Sequence, residues 1–251
     1  MRTASRSRRG HHLIMLGPPG AGKTMLARSF VDLLPTLNDQ FSLEVATIYS
    51  SVGLERNDHA KVPFRDPHNS IRSAAMVVGG QQPQPREVAL AHKGVLFLDE
   101  LPHFKPATFD SLREPIETGY AVIARAKYRV SFPCEFQLIV AMNPCPAGRS
   151  CKEDDCRCGP SQVQKYRSHV SRHLLDRIDL HEQVPELDQL LLAKLQKQNA
   201  TTEDLLPRLK EKVKSAMHAQ LQRKGCLNVK LSGRALNAEI ANANISEKFL
   251  H

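Results

Sequence analysis

The chain has 251 residues, of which 41% are hydrophobic and 24% charged, so its composition excludes a disordered or fibrous protein and allows one ordinary domain with a smaller one. No apolar run reaches the roughly 20 residues of a membrane-spanning helix, and none near the N terminus suits a signal peptide, so we expect a cytoplasmic protein without a membrane partner. The net charge of +9 includes four arginines in the first nine residues, so it indicates a polyanionic partner only weakly.

The first predicted elements are a strand at residues 12–16 and a helix at residues 25–31, joined by a glycine-rich turn. Residues 17–24 match the pattern G-x-x-x-x-G-K-[ST], in which backbone N–H groups surround a phosphate, the lysine contacts the β- and γ-phosphates and the hydroxyl binds Mg²⁺. The alternative, a chance glycine-rich turn, leaves both flanking elements unexplained. We therefore predict that ATP and Mg²⁺ bind at Gly17, Pro18, Pro19, Gly20, Ala21, Gly22, Lys23, Thr24 and Met25, with Thr24 on the metal.

A second apolar strand, at residues 95–98, ends in two acidic residues, Asp99 and Glu100. A buried parallel strand delivers such carboxylates to the carboxyl edge of a sheet, where α/β folds bind ligands. Asp99 is predicted to associate with Mg²⁺, and Glu100 to orient or deprotonate the attacking water.

Before the third strand, residues 121–132 place Arg125, Lys127 and Arg129 at period two. On one arm of a hairpin these three cations would share a face. They are predicted to contact the phosphate backbone of DNA, or else to form a solvated face that prevents aggregation.

The third strand, at residues 136–142, ends at Asn143. Its amide is predicted to hydrogen-bond a γ-phosphate or the lytic water, the alternative being a turn asparagine before proline. Four cysteines follow within fourteen residues and could supply four thiolates to a structural Zn²⁺, or remain free thiols in a solvated loop. They are Cys145, Cys151, Cys156 and Cys158.

Beyond Pro185 the pattern becomes helical, and residues 208–224 predict an amphipathic helix with a basic outer face. Several longer motifs of the chain resemble those of magnesium-chelatase-like AAA+ ATPases, and within them the ComM/YifB branch. These motifs lie at residues 64–71 (FRDPHNSI), 87–102 (EVALAHKGVLFLDELP), 141–146 (AMNPCP) and 174–180 (LLDRIDL).

The resemblance implies an α/β P-loop NTPase with an αβα core and a parallel sheet over residues 1–184, followed by a small, truncated helical lid over residues 185–251. It implies a helix-2 insertion at about 53–90, a hairpin at about 120–134 and a cysteine-rich loop at 145–158. The insertion and the hairpin would project into the pore of a hexameric ring.

The resemblance also implies roles for two arginines. Arg177 would reach the catalytic site of a neighbouring subunit, the alternative being a surface ion pair with Asp176 or Asp179. Arg234 would reach the γ-phosphate from the lid.

Three functions are consistent with these features. The first is an ATP-hydrolysing motor that acts on single-stranded or branched DNA, as a helicase of the branch-migration type linked to competence. The second is an ATP-driven subunit that remodels a protein, as in chelatase assembly. The third is a nucleotide-binding fragment without activity.

Overall fold

The computed structural model describes residues 10–79, 83–125, 128–148, 158–170, 172–186, 202–228 and 231. The strands are β1 (Leu13–Leu16), β2 (Phe64–Arg65), β3 (Val78–Gly79), β4 (Gln84–Pro85), β5 (Val95–Leu98), β6 (Tyr120–Arg125), β7 (Tyr128–Pro133), β8 (Gln137–Met142) and β9 (Leu180–Gln183). The helices are α1 (Lys23–Leu33), α2 (Asp39–Ser50), α3 (Ser73–Met76), α4 (Glu87–Leu90), α5 (Pro106–Thr118), α6 (Pro160–Ser168), α7 (Arg172–Leu175) and α8 (Thr202–Lys224).

Five strands form one parallel sheet in the order β2-β5-β8-β1-β9. All four residues of β5 are buried, as expected for a strand that is covered on both faces. Because every strand points the same way, the residues that follow β1, β5 and β8 meet at one edge of the sheet. The three strands predicted from apolar runs agree with β1, β5 and β8 to within one residue at each end.

The sheet lies between two layers of helices, each with its own hydrophobic cluster. One cluster contains Phe109 and Leu112 of α5 together with Leu174 and Ile178 around α7. The other contains Ala27 and Val31 of α1 and residues of α2 and α4. The predicted α/β fold with an αβα core is confirmed by this arrangement.

Two antiparallel hairpins lie outside the main sheet, β3–β4 and β6–β7. In the second hairpin Arg125 pairs with Tyr128, and Ala124 pairs with Arg129. The chain therefore reverses direction between Arg125 and Arg129. The premise that Arg125, Lys127 and Arg129 follow one another along a single strand was wrong, because Arg125 ends β6 and Arg129 lies in the antiparallel strand β7. Lys127 itself lies outside the described residues.

The range expected to form a helix-2 insertion, about 53–90, contains β2 as well as α3, α4 and the β3–β4 hairpin. Its strand β2 pairs with β5, and Phe64 stacks on Phe97 with ring centroids 6.0 Å apart. The long helix α8 covers the basic amphipathic segment. None of the described helices is both long and apolar enough to cross a membrane.

Candidate nucleotide-binding site

The loop between β1 and α1 has the backbone conformation that its glycines permit. Gly20 and Gly22 adopt φ values of 79° and 80°, which a side chain would disfavour. Gly17 N–H donates to the carbonyl of Met142 at 3.2 Å, so the start of the loop is attached to the end of β8. Helix α1 begins at Lys23, and its N-terminal N–H groups are available to an anion in this loop.

The amine of Lys23 is almost fully buried, with 7% of the residue exposed. Its Nζ donates to the carbonyls of Gly17 at 2.7 Å and Pro18 at 2.8 Å, and to Asn143 Oδ1 at 3.0 Å. Burial lowers the pKa of Lys23, while the carboxylates of Asp99 and Glu100 oppose that shift. A phosphate group could replace these acceptors with a stronger, charge-assisted contact.

The oxygens suited to Mg²⁺ lie next to each other at the same edge of the sheet. Thr24 Oγ1 donates to Asp99 Oδ2 at 2.6 Å, and the N–H of Glu100 donates to Asp99 Oδ1 at 2.9 Å. Mg²⁺ is commonly held by one or two protein oxygens together with nucleotide phosphates and water. One hydroxyl and one carboxylate therefore fit the metal that the sequence predicts.

Glu100 lies beyond β5 in an unusual backbone conformation, with φ 54° and ψ 51°. Its Oε2 accepts a hydrogen bond from Asn69 Nδ2 at 3.2 Å and lies 3.1 Å from His103 Nδ1. Left-handed backbone is uncommon for a non-glycine residue and occurs at functional sites. The side chain is half exposed, as a carboxylate must be if it is to contact water.

Neither Asn69 nor His103 was predicted as a site residue. Asn69 lies in the motif at residues 64–71, which was the available signal, and His103 lies three residues after Glu100. The ring of His103 also meets that of Tyr166 edge-on, with centroids 6.3 Å apart. Burial raises the pKa of Tyr166, and its hydrogen bond to the backbone of Asn143 opposes the shift. Helix α6 therefore contacts the site through Tyr166.

Arg177 lies away from this site within the same chain. It precedes β9, whose first residue, Leu180, pairs with Leu13 at the start of β1. The phosphate-binding loop follows the opposite end of β1, so Arg177 and Lys23 lie at opposite edges of the sheet. Among the described residues, the ion-pair partner of Arg177 is Glu117, at 2.7 Å from Nη2. The alternative of a surface ion pair was therefore wrong only in its partner, which is Glu117 instead of Asp176 or Asp179.

The remaining predicted residues are only partly described. Cys145 is fully buried and Cys158 is partly exposed, whereas Cys151 and Cys156 lie outside the described residues, as does Arg234. Within the part of the chain that is described, no group of three or more His, Cys, Asp or Glu side chains could hold a metal ion. The structure therefore gives the zinc hypothesis no support.

A second polar cluster lies at the amino edge of the sheet, before β5 and β8. Lys93 Nζ lies 2.8 Å from Glu135 Oε2, 3.7 Å from Glu44 Oε2 and 4.4 Å from the centroid of Phe41. His92 Nε2 lies 3.2 Å from Glu44 Oε2, and its Nδ1 accepts from the N–H of Glu135 at 3.1 Å. Both side chains are 2% exposed. Burial lowers the pKa of His92, and its hydrogen bond to Glu44 opposes the shift.

Comparison with known proteins agrees with the geometry of the nucleotide site. A family profile described as "Magnesium chelatase, subunit ChlI" matches residues 6–192. The chain is 41% identical over 229 residues to the uncharacterized protein YifB of Salmonella typhimurium. This match covers 90% of this chain and 44% of YifB. It is 40% identical over 231 residues to the competence protein ComM of Haemophilus influenzae, covering 91% of this chain and 44% of ComM.

A more distant relative is the magnesium-chelatase subunit ChlI of Anabaena variabilis, 22% identical over 238 residues, which cover 79% of this chain and 67% of that subunit. The chain therefore spans less than half the length of YifB and ComM.

Proposed function

The chain belongs to the magnesium chelatase family of AAA+ ATPases, and on that premise we propose that it hydrolyses ATP in sites shared between copies and uses the energy to move DNA. The observation that carries the ATPase proposal is the pairing of functional groups from three strand ends. Lys23 contacts Asn143 at 3.0 Å, and Thr24 contacts Asp99 at 2.6 Å.

Each of these groups has a distinct part in hydrolysis. Lys23 leaves its loop carbonyls and neutralises the β- and γ-phosphates, while Asn143 remains close enough to hydrogen-bond the γ-phosphate or the water. Thr24 and Asp99 would hold Mg²⁺, which would neutralise the charge that develops on the phosphate oxygens. Glu100, positioned by Asn69 and His103, orients the attacking water or accepts its proton.

The test of this assignment is the Glu100→Gln variant. It keeps the size of the side chain and its contact to Asn69, so ATP binding is expected to remain while turnover falls by roughly 100-fold or more. Binding is measured by calorimetry and turnover by phosphate release. Glu114→Gln, an exposed carboxamide substitution on α5, is the control. Hydrolysis by Glu100→Gln at the rate of the parent protein would contradict the assignment.

We further propose that Arg177 acts on the nucleotide of a neighbouring copy in a hexameric ring. This is supported by its place at the edge of the sheet opposite its own phosphate-binding loop. A guanidinium there would stabilise charge on the γ-phosphoryl oxygens of the neighbour. Arg177→Ala is expected to bind ATP without hydrolysing it, and mixing it with Lys23→Ala protein should restore activity at mixed interfaces. A mixture as inactive as each variant alone would contradict the shared site.

DNA is the proposed substrate of the motor. The proposal is supported by the similarity to a relative named as a competence protein, by the net charge of +9, and by the basic residues of the β6–β7 hairpin. Single-stranded DNA is expected to stimulate hydrolysis by the parent protein. Replacing Arg125, Lys127 and Arg129 together by Ala should weaken DNA binding, which should also fall steeply with salt, without changing ATP affinity.

The same measurements separate the other two functions. A protein that hydrolyses ATP without any response to DNA would favour remodelling of a protein partner, as the chelatase-like family allows. A chain that binds ATP but neither hydrolyses it nor changes its gel-filtration volume with ATP would be a nucleotide-binding fragment. This last outcome matters because the chain spans only 44% of YifB and of ComM.

A further inference from the structure

The ion pair between Arg177 and Glu117 joins helix α5 to the turn that follows α7, through a side chain that the proposed shared site requires. Arg177 Nη2 donates to Glu117 Oε1 at 2.7 Å, and the two side chains are 49% and 35% exposed. An ion pair with this exposure contributes little to stability. Its main effect is therefore on the position of the guanidinium.

Both ends of this pair are attached to rigid structure. Glu117 lies in the last turn of α5, which ends at Thr118 and is capped by Gly119 in the left-handed conformation with φ 76°. Arg177 follows α7, and the two helices pack together through one hydrophobic cluster that includes Ile116 and Ile178. The carboxylate and the backbone of the arginine therefore hold a fixed spacing.

The contact leaves part of the guanidinium available. Among the described residues, Arg177 meets Glu117 through Nη2, and no described acceptor is bonded to its Nε or Nη1. A guanidinium presents its five donors in a rigid planar fork, so a carboxylate bound to one nitrogen restricts the directions in which the other donors point. Arg113 Nε lies 3.4 Å from the same oxygen of Glu117 and helps to hold that carboxylate in place.

We propose that Glu117 is a positioning residue for Arg177: it holds the guanidinium in cis so that its remaining donors are presented to a phosphoryl group bound by a second copy of this chain. This inference rests on the proposed shared site. Without such a contact, the arginine side chain would lose rotamer entropy each time it bound the phosphoryl group. Holding it beforehand reduces that entropic cost in the transition state, in the way that preorganised groups accelerate other reactions.

The first measurement is the steady-state kinetics of Glu117→Ala and Glu117→Gln. Because Glu117 acts through a transition-state contact, kcat should fall roughly 10- to 100-fold in Glu117→Ala, with KM for ATP unchanged. Glu117→Gln keeps an acceptor oxygen and should fall between Glu117→Ala and the parent protein. Glu114→Ala, which removes another exposed carboxylate from α5, is the matched control and should stay within about twofold.

The decisive measurement is complementation. In a mixture of Glu117→Ala with Lys23→Ala, some interfaces join an intact phosphate-binding loop from the first protein to a correctly held Arg177 from the second. Hydrolysis per intact loop should therefore rise on mixing. It should not rise with a Lys23→Ala/Arg177→Ala double variant. Thermal unfolding of each protein alone shows whether Glu117→Ala is folded, and Glu117→Gln carries the same test if it is not.

These outcomes distinguish a failure of the shared site from a failure of the positioning role of Glu117. If Arg177→Ala keeps its activity, or is not rescued by mixing, the shared site fails and this inference falls with it. If Arg177→Ala is inactive and rescued but Glu117→Ala and Glu117→Gln match the parent protein, the positioning role alone is overturned. A rise in kcat for Glu117→Ala would also overturn it, because Glu117 would then restrain Arg177 rather than present it.

Discussion

Strand β5 has a polar cluster at each end, and the two clusters differ in the charge of the groups that their members contact. Lys93 comes before the strand and Glu100 after it, and these are the described non-glycine residues with positive φ, at 57° and 54°. Around Lys93 every charged group meets an opposite charge inside the protein. In the cluster near Glu100, Lys23 contacts a loop carbonyl and the amide oxygen of Asn143, and Asp99 contacts the hydroxyl of Thr24, and a nucleotide and a metal ion could replace these partners.

This difference separates a structural cluster from a binding site. The amine of Lys93 is enclosed by two carboxylates and an aromatic ring, so an added ligand would have to displace charged partners. The amine of Lys23 is nearly as buried but contacts only neutral acceptors, so a phosphate would improve its contacts. The charge of the groups around a buried lysine therefore indicates a binding site better than the burial of the lysine does.

The largest expected effect is on stability, from Lys93→Ala. Removing the buried cation leaves the carboxylates of Glu44 and Glu135, which are 33% and 22% exposed, without their partner, so the loss should be about 3 kcal/mol in free energy of unfolding. Urea unfolding measures it. Lys93→Gly should lose about 1 kcal/mol less, because glycine tolerates the positive φ. ATP affinity of the folded variants should match that of the parent protein. A loss below about 1 kcal/mol would contradict the structural role of this cluster.

At the opposite edge, Lys23→Ala should show the reverse pattern. Removing the cation that meets the phosphates should weaken ATP binding by roughly 100-fold or more. The urea midpoint should change little, since the neutral acceptors it leaves can bind water. Lys23→Met, which keeps the aliphatic stem, is the control for packing. If Lys23→Ala destabilised the protein as strongly as Lys93→Ala, the distinction between the two edges would be lost.

A smaller effect is expected from the residues that position Glu100. Asn69→Ala removes one hydrogen bond to the carboxylate, so kcat should fall roughly 10-fold while ATP affinity stays unchanged. Asn69→Asp is the sharper comparison, since it keeps the size but places a second negative charge next to Glu100. Phosphate release and calorimetry measure the two quantities. An equal change in ATP affinity and in turnover would indicate that Asn69 acts on the phosphate-binding loop instead.

The smallest effect concerns pH at the amino edge. The pKa of His92 is lowered in the folded state, so between that value and the unfolded value of about 6.5 the unfolded chain binds more protons. Stability should therefore decrease as pH falls below about 6.5. His92→Gln should reduce this dependence, as measured by urea unfolding at several pH values. An unchanged pH dependence would assign the effect to other groups.

Local patterns were sufficient to predict the strands and the residues that end them. An apolar run followed by a polar residue determines both the burial of a strand and the placement of its last side chains, since parallel strands share one carboxyl edge. This is why Lys23, Thr24, Asp99 and Asn143 could be expected together from sequence, although they lie up to 120 residues apart. The glycine pattern of residues 17–22 is equally local, because it reflects backbone conformation alone.

Tertiary structure decided the contacts that depend on packing between elements. Asn69 reaches Glu100 across 31 residues, and Glu117 reaches Arg177 across 60. The placement of Arg125, Lys127 and Arg129 on one arm of a hairpin was wrong for a related reason, because alternating charges predict a strand but do not show where it reverses. The packing of helices and turns on the sheet decides which carboxylate an exposed arginine contacts. It also decides which lysine is enclosed by carboxylates. No local pattern determines that, since the partners become neighbours only when the sheet and its two helical layers have assembled.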